Sequence, residues 1–293
     1  MASSNPVFAR VDRDAREGYA GFGTAPTTHP QDGATAAPTA WAAQDQLTPQ
    51  QLQDLYNAPS AAPVQMGRIT IDDVIMKTSG LFAIVLVGAV VGWQLAPTAG
   101  FLLVIGSIAL TLVLGIVIAM RKTISVPLIL GYAVVEGLLV GSVSQIYSGY
   151  FDNPPPPSPF EGIVAQAVLA TLSVFAGMLL AYKTGLIKVT EKFRRIVTMA
   201  IIGYAIFALV NFLYSLIGNH AFGIGGTGGL GIAISLFAIG LASFSLALDF
   251  DAIDRAIATG APQKYSWLLA HGLIVTLVWL YLEILRLLAR LRN

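Results

Sequence analysis

Seven apolar stretches follow one another between positions 77 and 288, and no other feature limits the fold as much. They cover about 77–95, 100–120, 126–146, 163–182, 196–217, 230–248 and 267–288. Each is close to the roughly 20 residues an α-helix needs to cross the hydrocarbon core of a bilayer. They are too long, and too continuously apolar, for the alternating strands of a membrane barrel. A backbone in lipid must satisfy its own hydrogen bonds, which leaves helices. The expected fold is all-α, a polytopic bundle of seven transmembrane helices. Charge content agrees: 11% of the residues are charged, against roughly 25% in a soluble domain.

Residues 1–66 stand apart from the membrane domain at 67–293. They are rich in Ala, Pro, Gly, Thr and Gln and hold no long apolar run. Such a segment buries too little to offset its ordering entropy, so a disordered tail is expected. One island, LTPQQLQDLYNAP at 47–59, has Thr48 to cap a helix and Pro49 at its first position. It reads as a turn, or as a short helix that docks on a partner or the membrane surface. No secretory signal is expected, because the first apolar run begins only near Ile69. The stretch 69–77 reads as an amphipathic lead-in.

Loop charges orient the bundle. The second loop carries Arg121 and Lys122, the fourth Lys183, Lys188, Lys192, Arg194 and Arg195, the sixth Arg255 and Lys264. The first, third and fifth carry no Lys or Arg. The N-terminus and the even loops are therefore expected in the cytoplasm. Seven crossings put the C-terminus outside, which Arg290 and Arg292 oppose. Either the last helix stops short of a full crossing or the upstream bias overrides those two arginines. The second is the expectation.

Several function classes are unsupported. A net charge of +1 offers no field for nucleic acid. There is no cysteine, and His29, His220 and His271 make no metal-ligand spacing. No Ser/His/Asp arrangement accompanies the carboxylates, so no enzyme and no cofactor is expected. GIGGTGGLG at 223–231 lacks the Lys-Ser/Thr ending of a phosphate loop and reads as a flexible outer loop. Gly88 with Gly92, and Gly137 with Gly141, form GxxxG pairs that let helices approach closely.

Charges within the spans are the candidate functional groups, since each costs at least ~2.5–3.5 kcal/mol at the bilayer centre. They are Glu136 in the third span, Asp249 at the inner end of the sixth, and Glu283 and Arg286 in the seventh. Asp251 and Asp254 read as surface residues, with Arg255 four positions after Asp251. Glu283 pairs locally with Arg286 or Arg290, or it serves a site. Glu136 hydrogen-bonds a neighbouring helix, or it lines a path. The midpoint of Asp249 and Glu283 is position 266, and the polar turn between their helices is centred near 263. Contact across the helical hairpin is feasible with a mismatch of roughly one turn. Two carboxylates that meet in a poorly hydrated site share a proton and titrate as one unit. They also attract a hard cation. Tight calcium binding takes 6–8 oxygens, so Asp249 and Glu283 make at most a weak calcium site, on a conduction path.

Four segments resemble the Bax inhibitor-1/YccA family, the transmembrane Bax-inhibitor-motif proteins. DDVIMKTSGLFAIVL resembles the entry to the family's first helix, and YAVVEGLLVGSVSQIY its Glu-Gly pattern in the third. LALDFDAI resembles the Tyr-Asp motif of the sixth helix, with Leu248 in place of the tyrosine. YLEILRLLARL resembles the closing Tyr-Leu-Asp motif, with Glu283 in place of the aspartate. The resemblance covers about 69–292; in the tail only NPVF, GYAGFG and LQDLYN resemble actinobacterial relatives. It implies seven helices with the last one central, in a bacterial inner membrane. It also implies a calcium-permeable leak gated by pH through a carboxylate pair, by motif position Asp249 and Glu283, with Glu136, Arg286 and Asp251 in support. The second span holds no arginine for a family lock; Arg286 is the substitute. A second implied role is partnership with a membrane-anchored protease in membrane-protein quality control, for which the long tail is suited.

Overall fold

A computed structural model describes residues 67–218 and 222–293. The expectations for 1–66, including the island at 47–59, lie outside the described residues, as does His220. The helices are α1 (Ile71–Met120), α2 (Val126–Phe151), α3 (Ile163–Lys183), α4 (Glu191–Gly218), α5 (Gly229–Ala258) and α6 (Tyr265–Arg292), with a 3-10 turn at Pro159–Glu161. Among the described residues the fold is all-α, and all six helices are long and apolar enough to cross a membrane. The chain is a multi-pass membrane protein. Outward-facing side chains such as Leu102 and Ile206 are apolar and exposed, as a lipid-facing surface requires.

Six helices stand where seven were expected, because the first two apolar stretches lie in one 50-residue element, α1. A straight helix of that length measures about 75 Å, more than twice the roughly 30 Å of a hydrocarbon core. α1 is not straight. Pro97 lies inside it, and Gly100 takes φ 46° and ψ −129°, outside the helical region. Proline removes a backbone donor, and only glycine adopts such a φ cheaply. Beyond the break Ile118 packs in the same cluster as Leu81 and Val85, so the two arms of α1 lie side by side.

The glycine pairs read from the sequence meet each other. A Cβ on Gly137 would lie 2.9 Å from the Gly88 Cα, and one on Gly141 would lie 2.7 Å from the Ala89 Cα. Lipid supplies no hydrophobic drive between helices, so close backbone contact supplies the attraction. Val85 faces Gly137 and Ala89 faces Gly141, so the first arm of α1 and α2 run in the same direction. Gly115, on the second arm, faces the Tyr132 ring.

The chain enters α1 through a capping box, in which Thr70 and Asp73 exchange hydrogen bonds of 3.2 Å. Asp73 also accepts from Gln263 at 2.7 Å, and Lys77 donates to Ser266 at 2.5 Å. The Ile69 N–H donates to the Ala261 carbonyl at 2.8 Å. The start of α1 is thus fastened to the turn between α5 and α6.

α6 is the central helix. It packs against α1, α2, α3 and α5, and Glu283 and Trp279 reach Tyr204 on α4. Its fully buried side chains include Ile274, Leu280 and Leu285. It runs for 28 residues from the α5–α6 turn. Arg290, 3% exposed, donates to the carbonyls of Gly231 and Phe222 and to the Ser235 hydroxyl. Arg292 donates to Asp152 at 2.8 Å, to the Glu161 carbonyl at 2.6 Å and to Gln166 at 2.9 Å. The end of α6 therefore rests on the third and fifth loops. The two arginines that oppose an outer C-terminus in a charge count are used to bind those loops.

The glycine seam gives a direct test. Gly141→Ala forces a side chain into the Ala89 backbone and is expected to cost about 1–3 kcal/mol, as overpacking does. Gly149→Ala meets open space on the same helix and is expected to be neutral or stabilising by up to about 1 kcal/mol. Thermal unfolding of both variants in detergent measures the difference.

Candidate functional site

Three side chains of α6 organise the interior: His271, Thr276 and Glu283. Thr276 and Glu283 are seven positions apart in the sequence, which puts them on one face of the helix, about 10 Å apart. Thr276 faces the Asp249 carboxyl of α5, while its own hydroxyl donates to the Gly272 carbonyl at 3.2 Å. Asp249 Oδ2 is buried and has no hydrogen-bond partner.

Glu283, 5% exposed, is differently placed. Its Oε1 accepts from the Tyr204 hydroxyl at 2.6 Å, and Arg286 reaches its two oxygens at 3.2 and 3.3 Å. Tyr204 is held for this by stacking on Trp279, with ring centroids 5.7 Å apart. The local pair with Arg286 at i,i+3 is formed, and Arg290 is not its partner.

Asp249 and Glu283 are thus not hydrogen-bonded to each other; the proton-sharing contact expected from the sequence is absent from this arrangement. Asp249 stands level with Thr276, two helical turns nearer the α5–α6 turn than Glu283. The reason is arithmetic. In a hairpin, moving the turn's centre by one residue moves the partner by two. A mismatch read as one turn is therefore about two turns of partner position.

The remaining expected residues fall as follows. Asp251 accepts from Arg255 at 2.7 Å, the expected i,i+4 pair, and from Arg194 of α4 at 3.0 Å. Asp254 accepts from Tyr182 of α3 at 2.8 Å. These contacts tie α3, α4 and α5 together at the end where Lys183 and Glu191 lie. Glu136, 4% exposed, does not bond a neighbouring helix. Its Oε1 accepts from Tyr132, one turn earlier on α2, at 3.2 Å, and its Oε2 is buried without a partner. Among the described residues no three His, Asp or Glu side chains converge in a metal-holding group.

Four residues of these sites escaped the sequence reading. Tyr132 lies four positions before Glu136, a helical spacing that marks it as a neighbour. Thr276 lies near the mirror position of Asp249 about the turn. Tyr204 is far from Glu283 in the chain and carries no such signal. His271 looks isolated in the sequence but meets the Tyr132 ring edge-on, with centroids 4.4 Å apart.

Compared with families of known proteins, the chain matches the family described as Bax inhibitor 1 like over residues 5–293. The match extends through most of the first 66 residues, which the motif resemblance had left outside. No curated protein matches the chain.

Tyr204→Phe removes one hydroxyl and keeps the stack on Trp279. It is expected to cost about 1–3 kcal/mol, the range for leaving a buried charged acceptor short of a donor. The fall in unfolding temperature should be absent in Tyr150→Phe on α2, where the side chain is exposed.

Proposed function

This chain belongs to the Bax inhibitor 1 like family, and on that premise we propose that it is a pH-responsive cation leak that admits calcium. The observation that carries this reading is the bare, buried Oδ2 of Asp249 inside the helical bundle. An ionised oxygen without a donor in hydrocarbon is costly. It takes a proton or a cation from whichever solution reaches it. Protonated, Asp249 is a neutral partner for Thr276 and offers a cation nothing. Ionised, it draws a cation to the α5–α6 interface.

In this reading α1 crosses the bilayer twice and turns at Gly100, so the bundle makes seven crossings. The shared direction of its first arm and α2 supports this, because a return arm is needed between them. The N-terminus and the even loops face the cytoplasm of a bacterial cell, and the C-terminus faces outward. Glu283 then lies in the outer half, where Arg286 occupies its carboxylate. Arg290, one turn further out, adds a second positive charge against an entering cation. Glu283 and its arginine form the closure, and conduction requires Glu283 to exchange Arg286 for the passing ion. Asp249 is the titrating group that admits the ion from the inner side. Asp251 fixes the inner ends of α4 and α5. No catalytic step enters this reading.

A second reading has its own support. The family match extends into the tail, and the chain leaves that tail directly onto the α5–α6 turn, through Ile69 and Ala261. A membrane-anchored protease bound by the tail would act on the two helices that carry Asp249 and Glu283. The protein would then serve as a regulator in membrane-protein quality control.

Calcium entry into liposomes that hold the purified protein tests the first reading. Wild-type flux is expected to vary with pH on the inner face, and Asp249→Asn is expected to flatten that response. Equal, equally pH-dependent flux in wild type and in the double variant Asp249→Asn, Glu283→Gln would remove the gate. Deleting residues 1–66 separates the readings: loss of protease capture with flux unchanged supports the second.

A further inference from the structure

His271 and Thr276 are five positions apart, about 140° around α6. Thr276 faces Asp249 on α5, and His271 faces Tyr132 on α2. Glu136, Tyr132 and His271 are thus a second group of titratable side chains, on another side of the central helix. All three are less than one-tenth exposed. Their contacts run in sequence: Glu136 Oε1 accepts from the Tyr132 hydroxyl, and the Tyr132 ring meets the His271 ring.

Among the described residues the group has no formal cation to answer Glu136. α2 packs against α1, α3 and α6. The ionisable residues of α1 are Asp72, Asp73 and Lys77, all at its start, and Lys77 is held by Asp73 and Ser266. The second arm of α1 runs antiparallel to α2, and the contact of Gly115 with Tyr132 puts Thr111 level with Glu136. The Thr111 hydroxyl already donates to the Ser107 carbonyl at 2.9 Å. α3 offers only Tyr182 and Lys183, in its last turn. On α6, Tyr281 shares a hydrogen bond with Ser144, and Arg286 and Arg290 are engaged further out. On α2 itself Tyr147 and Tyr150 lie more than two turns beyond Glu136. The basic side chain that meets this group is His271, through its ring contact with Tyr132.

We infer that Glu136, Tyr132 and His271 form a proton-binding site in the membrane core, separate from Asp249, which holds one proton between the Glu136 carboxylate and the His271 imidazole. The low-dielectric surroundings demand net neutrality. Two arrangements meet that demand: a carboxylic acid beside a neutral imidazole, and a carboxylate beside an imidazolium. Passing the proton from one to the other leaves the total charge unchanged. Tyr132 donates to the carboxyl in both, and its ring packs against the imidazole.

Infrared difference spectroscopy of the protein in lipid nanodiscs, titrated with acid in H₂O and D₂O, tests this. Wild type should show a carboxylic-acid C=O band that Glu136→Gln removes and that Asp249→Asn leaves in place. Glu136→Asp keeps the acid and should move the band's frequency rather than abolish it, which covers a glutamine variant that fails to fold. His271→Asn removes the alternative holder and should move the band's titration midpoint by about one pH unit or more, a tenfold change in proton affinity. A band untouched by both substitutions at Glu136, or a midpoint unmoved by His271→Asn, would overturn the site. No ion flux is read, so this result and that for the leak stand or fall separately.

Discussion

Hydrocarbon gives a polar group nothing to bond to, and α6 is where this chain meets that constraint. Glu283 has Tyr204 and Arg286, and Arg290 has two carbonyls and a hydroxyl. Tyr281 has Ser144. Each partner lies on α6 itself, on a helix or loop packed against it, or on α4, which Tyr204 connects to it, so the polar groups specify which helix stands where around the centre. Apolar contact alone would not do so, since lipid tails are as good a neighbour as leucine. Against that background the two bare carboxylate oxygens, on Asp249 and Glu136, are exceptions. Arg194 and Arg290 also leave their buried Nε atoms without a partner, but each has other groups that are bonded.

The glycine seam plays the complementary part. Gly88, Gly92, Gly137 and Gly141 bring α1 and α2 into backbone contact, and this close pair carries Tyr132 and Glu136 toward α6. At the opposite side α5 brings Asp249. The central helix is therefore approached by acids from two directions and presents a different residue to each.

How much of this is legible in the sequence depends on the kind of constraint. Bilayer thickness is a length, and the lengths of the apolar runs express it directly. Spacings within one helix are equally direct, which is why Glu283 with Arg286 and Asp251 with Arg255 can be read. The GxxxG pairs are visible as motifs, but that they face each other is a property of two helices together. Register across a hairpin is harder still, because an uncertain turn displaces the partner twofold. Asp249 accordingly falls opposite Thr276. Contacts between distant helices, such as Tyr204 with Glu283, leave no local trace. Arg290 and Arg292 show a further limit: a rule about which side of a membrane charges prefer does not anticipate arginines consumed by hydrogen bonds to loops. The break in α1 lies between two readable spans, yet Pro97 and Gly100 permit a continuous element with a bend as well as a separate loop.

The position of α6 also bears on how the protein is made. A ribosome delivers α6 after α1 to α5, so the outer helices must enter the membrane before their middle exists. During that interval Tyr204, Ser144 and Ser235 lack the α6 partners they have in the finished bundle. The contacts of Arg290 and Arg292 with the loops likewise form only once α6 is in place.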